Sequence, residues 1–142
     1  MITNEEKHEV YAQLKTRLKK ALQNGFWFEA CMIEYNIIED RTASILFHAG
    51  ITDKGWEKKL TNKLNSIELQ IGKKNRYVFG KVSPDTLKAI RVWKENRNDA
   101  VHRACISTYD EKCLQQLAEE GKSLCDRISN ENQKVKRATQ KG

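Results

Sequence analysis

The sequence predicts an all-α protein built as a bundle of about five helices in a single domain. The chain of 142 residues is long enough to form one buried core. It contains one proline and seven glycines, so few residues interrupt helices. Apolar side chains recur every three or four positions over most of the chain, which is the period of an amphipathic helix.

The first two helices are predicted from a capping signal and from the distribution of apolar residues. Thr3 and Glu6 match a capping box, in which each side chain accepts a hydrogen bond from the backbone amide of the other residue. The helix that they open ends near Gly25. The second helix covers residues 26–47 and is the most apolar segment. We therefore expect it to lie at the centre, against several helices or a second subunit.

The third and fourth helices have equally clear signals. Apolar side chains from Trp56 to Ile71 are separated by four, four, three and four residues, which predicts an amphipathic helix over this range. Ser83 followed by Pro84 is typical of a helix N-terminus, because proline is well suited to the first helical position. This fourth helix is expected to end near Cys105.

The fifth helix is predicted to open at a second capping box, Thr108 and Glu111. Its apolar stripe ends at Ile128, and from Ser129 onward the chain is polar and basic. We therefore assign residues 1–129 to a single helical-bundle domain. Residues 130–142 are expected to form a basic, disordered tail.

The composition restricts the classes of function. A net charge of +7 favours an anionic partner such as nucleic acid. The four cysteines form no Cys-x-x-Cys pair, so neither a metal site nor another cofactor is expected. The N-terminal residues are polar and acidic, unlike a signal peptide. No apolar run approaches the roughly 20 residues that span a bilayer, so we expect a cytoplasmic protein without membrane contact.

The segment 95–102 of the fourth helix carries the residues best suited to chemistry. Arg97 is followed directly by Asn98, and four residues separate it from His102. A histidine transfers protons near neutral pH, and a guanidinium stabilises the negative charge that develops on a phosphate. Together these groups are sufficient for cleavage of RNA without a metal ion.

This motif resembles the Arg-x(4–6)-His signature of the HEPN superfamily, in which a polar residue commonly follows the arginine. HEPN domains are small helical bundles, and many are ribonucleases of toxin–antitoxin, phage-defence and CRISPR-associated systems. The resemblance implies a metal-independent endoribonuclease with Arg97 and His102 as catalytic residues, and with Asn98 orienting His102 or the substrate. It further implies a homodimer with a composite site, and an antitoxin or regulatory protein as a partner. One HEPN subgroup carries a tyrosine where this chain has Ala104, so control through that tyrosine is not expected.

Helical geometry independently favours a composite site. At about 100° per residue, Arg97 lies on an apolar face of the fourth helix and His102 lies about 140° away. Two copies of the helix across a two-fold axis, or a local distortion of the helix, would bring these side chains together. A guanidinium on an apolar face needs a partner. We expect Glu34 or Asp40 of the second helix to orient Arg97; the alternative for both carboxylates is an exposed charged edge.

The segment 72–82 is rich in basic and aromatic residues. Lys73, Lys74 and Arg76 are candidates for binding an RNA backbone, and Tyr77 for stacking on an unpaired base. Arg103 is a further candidate for RNA binding, beside the motif histidine. The alternative is a connector whose apolar side chains close over the core.

Two alternatives to the enzyme remain. One is a non-catalytic HEPN-like module that binds RNA, a nucleotide or a protein partner. The other is an unrelated helical bundle in which the motif occurs by chance. A dimer that brings two copies of Arg97 and His102 to one basic cleft would favour the enzyme. A monomer with Arg97 neutralised inside the core and His102 remote from it would exclude the enzyme.

Overall fold

The computed structural model describes residues 3–51, 59–106 and 110–140. Within these ranges the protein consists of helices and no β-strand, which confirms the predicted all-α class. The helices are α1 (Asn4–Gln23), α2 (Trp27–His48), α3 (Leu60–Gly72), α4 (Pro84–Ile106) and α5 (Glu111–Gln140). The predicted helix start at Trp56 and the cap at Thr108 lie outside the described residues. None of the described helices combines the length and the apolar character needed to cross a membrane.

Helix α2 is the central element of the bundle, as its apolar composition predicts. It contacts each of the other four helices, and its contact with α5 is the most extensive. Ile38, Ile45 and Leu46 of α2 are completely buried. A helix that packs on several sides must be apolar around most of its circumference, which explains the composition of this segment.

Local signals define the helix starts. The Thr3 hydroxyl accepts a hydrogen bond from the Glu6 amide at 3.1 Å, and the Glu6 carboxylate accepts one from the Thr3 amide at 3.0 Å. The hydroxyl of Ser83 accepts a hydrogen bond from the Asp85 amide at 3.1 Å, at the start of α4. These bonds satisfy backbone amides that have no partner within the helix.

Helix α5 continues to Gln140, which corrects the assignment of residues 130–140 to a disordered tail. Val135 is completely buried, and Glu131 and Asn132 are almost completely buried. The buried positions of α5 recur at spacings of three and four residues along the chain. Val135 follows Ile128 by seven residues, which is two steps of the same pattern. Helix α5 therefore stays packed against the bundle through a segment whose composition is polar.

Helix α4 runs antiparallel to α5, so the second half of α4 lies against the start of α5 and the first turn of α4 lies against a later part of α5. Trp93 Nε1 donates a hydrogen bond to the backbone oxygen of Leu117 at 2.8 Å, near the start of α5. Arg127, further along α5, donates to Thr86 Oγ1 at 3.0 Å. At about 1.5 Å per residue, the first turn of α4 is roughly 20 Å from Arg97.

Candidate functional site

Three side chains hold the guanidinium of Arg97. Its Cζ lies 4.4 Å from the centroid of the Tyr35 ring. Its Nη2 contacts the sulfur of Met32 at 2.8 Å, and its Nη1 donates a hydrogen bond to Asn98 Oδ1 at 2.9 Å. Met32 and Tyr35 lie about one turn apart on α2, so they form a continuous wall beside α4.

The positive charge of Arg97 has no carboxylate partner within the described ranges. No Asp or Glu oxygen there lies within 4.0 Å of its guanidinium nitrogens. Its Nε is buried and has no hydrogen-bond partner among the same residues. The side chain as a whole is partly exposed. An aromatic ring stabilises a cation without neutralising it, so this charge remains able to attract an anion.

Glu34 does not orient Arg97, contrary to the expectation from sequence. Its side chain is completely buried and its carboxyl group packs against Gly121 of α5. Neither carboxyl oxygen has a hydrogen-bond partner among the described residues. The reason is rotation about α2: Tyr35 faces Arg97, and the preceding residue points about 100° away from it.

Asp40 is also not a partner of the arginine on α4. It forms an ion pair with its neighbour Arg41, with a hydrogen bond of 3.0 Å from the arginine Nε. Its position on α2 is about 140° around the helix from Tyr35 and more than one turn further along. The alternative of an exposed charged edge therefore describes Asp40 correctly, since its carboxylate is 57 % exposed.

Three ionisable groups of α2 near this site have pKa values raised above their ordinary values. Burial raises the pKa of Glu34 to about 9 and that of Cys31 to about 12. Burial and then the charge of Glu39 raise the pKa of Tyr35, and the positive charge of Arg97 partly opposes this shift. A carboxyl group or thiol that loses solvent retains its proton to higher pH. None of the three therefore compensates the charge of Arg97.

His102 is exposed on a different side of α4 from Arg97. The helix is continuous over both residues, so the predicted separation of about 140° is retained. Arg103 forms an ion pair with Asp99 at 3.1 Å on the exposed surface nearby. The side chain of Asn98 contacts Arg97 and, among the described residues, is not bonded to His102. Within one chain, the two motif residues are not brought together.

The basic segment after α3 lies at the other end of α4. The guanidinium of Arg76 lies 4.6 Å from the ring centroid of Tyr77 and donates a hydrogen bond to its hydroxyl. Val78 is completely buried, so the segment does close over the core. Lys73 and Lys74 are exposed, and their contact with RNA stays a prediction. Because this end of α4 is roughly 20 Å from the motif, the two predicted groups of RNA-binding residues form separate surfaces.

Met32 and Tyr35 were not among the residues predicted for the site. They follow one another at a spacing of three on α2, beside its apolar stripe. A methionine and a tyrosine at this spacing resemble ordinary core residues. Two structural facts set Met32 apart from a core residue: 40 % of it is exposed, and its sulfur contacts Arg97.

Among the described residues, no three His, Cys, Asp or Glu side chains converge in a cluster that could hold a metal ion. Comparison of the chain with protein-family models, with curated proteins and with solved structures found no match. The residues of the site therefore carry the functional proposal by themselves.

Proposed function

We propose that this protein is a metal-independent endoribonuclease of the HEPN type, with Arg97 and His102 as its catalytic residues. The observation that carries the proposal is the partly exposed guanidinium of Arg97, which rests on Tyr35 and lacks a carboxylate partner among the described residues. A positive charge that is held in place and not neutralised is suited to bind a phosphate. The net charge of +7 adds a general attraction for RNA.

In the proposed reaction, His102 of one copy accepts the proton of a ribose 2′-hydroxyl. The 2′-oxygen attacks the adjacent phosphorus, the bond between phosphorus and the 5′-oxygen breaks, and a second histidine donates a proton to that oxygen. Arg97 stabilises the negative charge on the phosphate oxygens during the attack. The products are a 2′,3′-cyclic phosphate and a 5′-hydroxyl end. DNA is resistant because it lacks the 2′-hydroxyl.

The proposed site lies between two copies of the chain. Arg97 and His102 face different sides of α4, so one chain does not present both to a single phosphate. A two-fold dimer formed along the second half of α4 would place the arginine of one copy beside the histidine of the other. Met32, which contacts Arg97 and is 40 % exposed, would be covered in such a dimer.

Cleavage of a labelled single-stranded RNA in excess EDTA tests the role of His102. His8 provides a matched control, because it is also an exposed histidine within a helix. We expect the wild type and His8→Ala to cleave at the same rate. His102→Ala is expected to cleave at least about a hundredfold more slowly, as loss of a general acid or base requires. Equal cleavage by the two variants, or no cleavage of several varied RNAs by the wild type, would contradict the proposal.

The role of Arg97 is tested in the same assay with Arg97→Gln. Arg17→Gln is its control, since Arg17 is an exposed arginine of α1. We expect a loss of about a hundredfold for Arg97→Gln and no change for the control. Sedimentation at the assay concentration then tests the dimer. A monomer that cleaves RNA would contradict the composite site.

A non-catalytic RNA-binding module of the HEPN type is the second candidate. It is favoured by the separation of Arg97 and His102 on α4, because an arginine held by Tyr35 can bind a phosphate without a histidine nearby. In that case Arg97→Gln weakens RNA binding, His102→Ala leaves it unchanged, and the wild type cleaves no RNA.

A further inference from the structure

A second cleft lies at the opposite end of α4 from the site proposed for cleavage. It has a volume of about 550 Å³ and lies between residues 79–84, the first turn of α4 and one face of α5. Arg127, Glu131 and Lys134 of α5 line it. They do not include Lys73, Lys74 or Arg76, the basic residues after α3 that the sequence predicts for RNA binding.

Glu131 is an unusual component of this cleft because only 6 % of it is exposed. Its Oε1 accepts a hydrogen bond from the backbone amide of Ser83 at 2.5 Å, which joins α5 to the start of α4. Its Oε2 is buried and has no hydrogen-bond partner in the part of the chain that the structure describes. A buried carboxylate oxygen without a donor is unfavourable. A ligand that carries an N–H group would satisfy it.

Three cations belong to the same cleft as Glu131. Lys81, Arg127 and Lys134 line the cleft. Arg127 Nη2 donates a hydrogen bond to Thr86 Oγ1 at 3.0 Å, and Lys81 Nζ donates one to the backbone oxygen of Arg76 at 3.0 Å. Two of the three cations are therefore held in position. Their excess over the single carboxylate favours a ligand with an anionic group such as a phosphate.

The remaining wall of the cleft is apolar. Phe79 lines it together with Ile71 and Val82, and 48 % of the phenylalanine is exposed. An exposed aromatic ring beside cations is the arrangement on which nucleic-acid bases stack. The hydroxyl of Ser83 already caps the first turn of α4, so the side chains rather than the helix N-terminus define the site.

We propose that this cleft binds a nucleotide unit whose base carries an exocyclic amino group. The phosphate contacts Arg127, Lys134 and Lys81, the base packs on Phe79, and the amino group donates a hydrogen bond to Oε2 of Glu131. The unit is a free nucleoside monophosphate or one nucleotide of an RNA strand, because both present the same groups. The inference goes beyond the proposed function and does not depend on RNA cleavage, since neither catalytic residue belongs to this cleft.

CMP and UMP are matched probes for this site. They differ at position 4, where cytosine has an amino donor and uracil a carbonyl acceptor, and at N3, which accepts a hydrogen bond in cytosine and donates one in uracil. Calorimetric titration of the full chain is expected to show that the wild type binds CMP about tenfold more tightly than UMP. Glu131→Gln is expected to abolish or reverse this preference, because its amide would present an N–H group to the ligand.

Two further variants test the other walls of the cleft. Arg127→Gln and Phe79→Ala are expected to weaken the binding of CMP about tenfold, through loss of a phosphate contact and of a stacking surface respectively. Lys20→Gln is the control, because Lys20 is an exposed lysine of α1. Circular dichroism establishes that each variant remains folded.

Titrations with orthophosphate and with a short single-stranded oligocytidylate complete the test. An oligocytidylate that binds to His102→Ala much more tightly than CMP does, and that loses this affinity when Phe79→Ala is added, identifies an RNA strand as the ligand of this cleft. Equal affinities identify the free nucleotide. The inference is overturned if CMP binds no more tightly than UMP or orthophosphate, or if folded Arg127→Gln and Phe79→Ala bind CMP as the wild type does. His102→Ala is expected to bind CMP normally, so failure at this cleft and failure of the cleavage proposal are distinguishable.

Discussion

The guanidinium of Arg97 lies over the ring of Tyr35, with its Cζ 4.4 Å from the ring centroid. This contact joins α4 to α2 and holds the arginine at a partly exposed position. A carboxylate in the place of the ring would neutralise the charge that a phosphate needs, whereas an aromatic ring does not. Because its partner is a ring and not a carboxylate, the positive charge of Arg97 remains available to bind a phosphate.

Tyr35→Leu is expected to lower RNA cleavage, or RNA binding if the protein does not cleave, by about two- to fivefold. Loss of a cation–π contact of about 0.5–1 kcal/mol corresponds to this change. Tyr35→Phe is the matched control, because it retains the ring and removes only the hydroxyl. Equal losses in both variants would show that the ring does not act through Arg97. Urea unfolding of both proteins separates this effect from loss of packing against Trp93, whose ring centroid is 6.4 Å from that of Tyr35.

Glu34 makes the stability of the protein depend on pH. Burial raises the pKa of this carboxyl group from 4.5 to about 9. The unfolded chain therefore loses this proton at lower pH than the folded protein does. The contribution to stability is fully present below about pH 4.5 and is lost as pH rises through about 9. Between these values, the free energy of unfolding is expected to fall by about 1.4 kcal/mol per pH unit because of this group.

Glu34→Gln removes this dependence and tests it. Urea unfolding at about pH 5 and about pH 8 is expected to show a smaller fall in the free energy of unfolding for the variant than for the wild type. Glu29→Gln is the control, since Glu29 is an exposed glutamate of the same helix. The same fall in Glu34→Gln and in the wild type would refute the buried, neutral carboxyl group.

Gly121→Ala is expected to destabilise the protein although alanine favours helices. A Cβ at this position would lie 2.8 Å from Trp93 Cζ2 and would overlap the carboxyl group of Glu34. The helix propensity of alanine contributes about 1 kcal/mol and overpacking costs up to about 3 kcal/mol, so we expect a net loss of up to about 2 kcal/mol. Ser123→Ala, at an exposed position of α5, provides the control. A higher thermal unfolding temperature for Gly121→Ala than for the wild type would contradict the close approach of α2, α4 and α5.

Val135→Ala tests whether α5 packs against the bundle beyond residue 129. Val135 is completely buried, so its truncation is expected to lower the free energy of unfolding by about 2 kcal/mol. Gln133→Ala, at an exposed position on the same turn, is expected to change it little. If both variants are as stable as the wild type, the segment is the disordered tail that its composition predicts.

The local sequence was sufficient to predict the helices and where most of them begin. The capping box of Thr3 and Glu6 and the pair Ser83 and Pro84 act through bonds within a few residues, so a local pattern is sufficient to recognise them. The central position of α2 followed from its apolar composition. The end of α5 did not follow, because Glu131 and Asn132 are buried by packing while their residue types indicate solvent exposure.

Which side chains contact one another depends on how the helices pack. Arg97 contacts Tyr35 rather than Glu34 because of the rotation of α2 about its own axis. Glu131 contacts Ser83, 48 residues away, because α4 and α5 are antiparallel and in this register. The period of a helix determines which residues share a face, whereas the packing of helices determines what that face contacts. The motif was therefore visible in the sequence, and the aromatic partner of its arginine and the cleft at the other end of α4 were not.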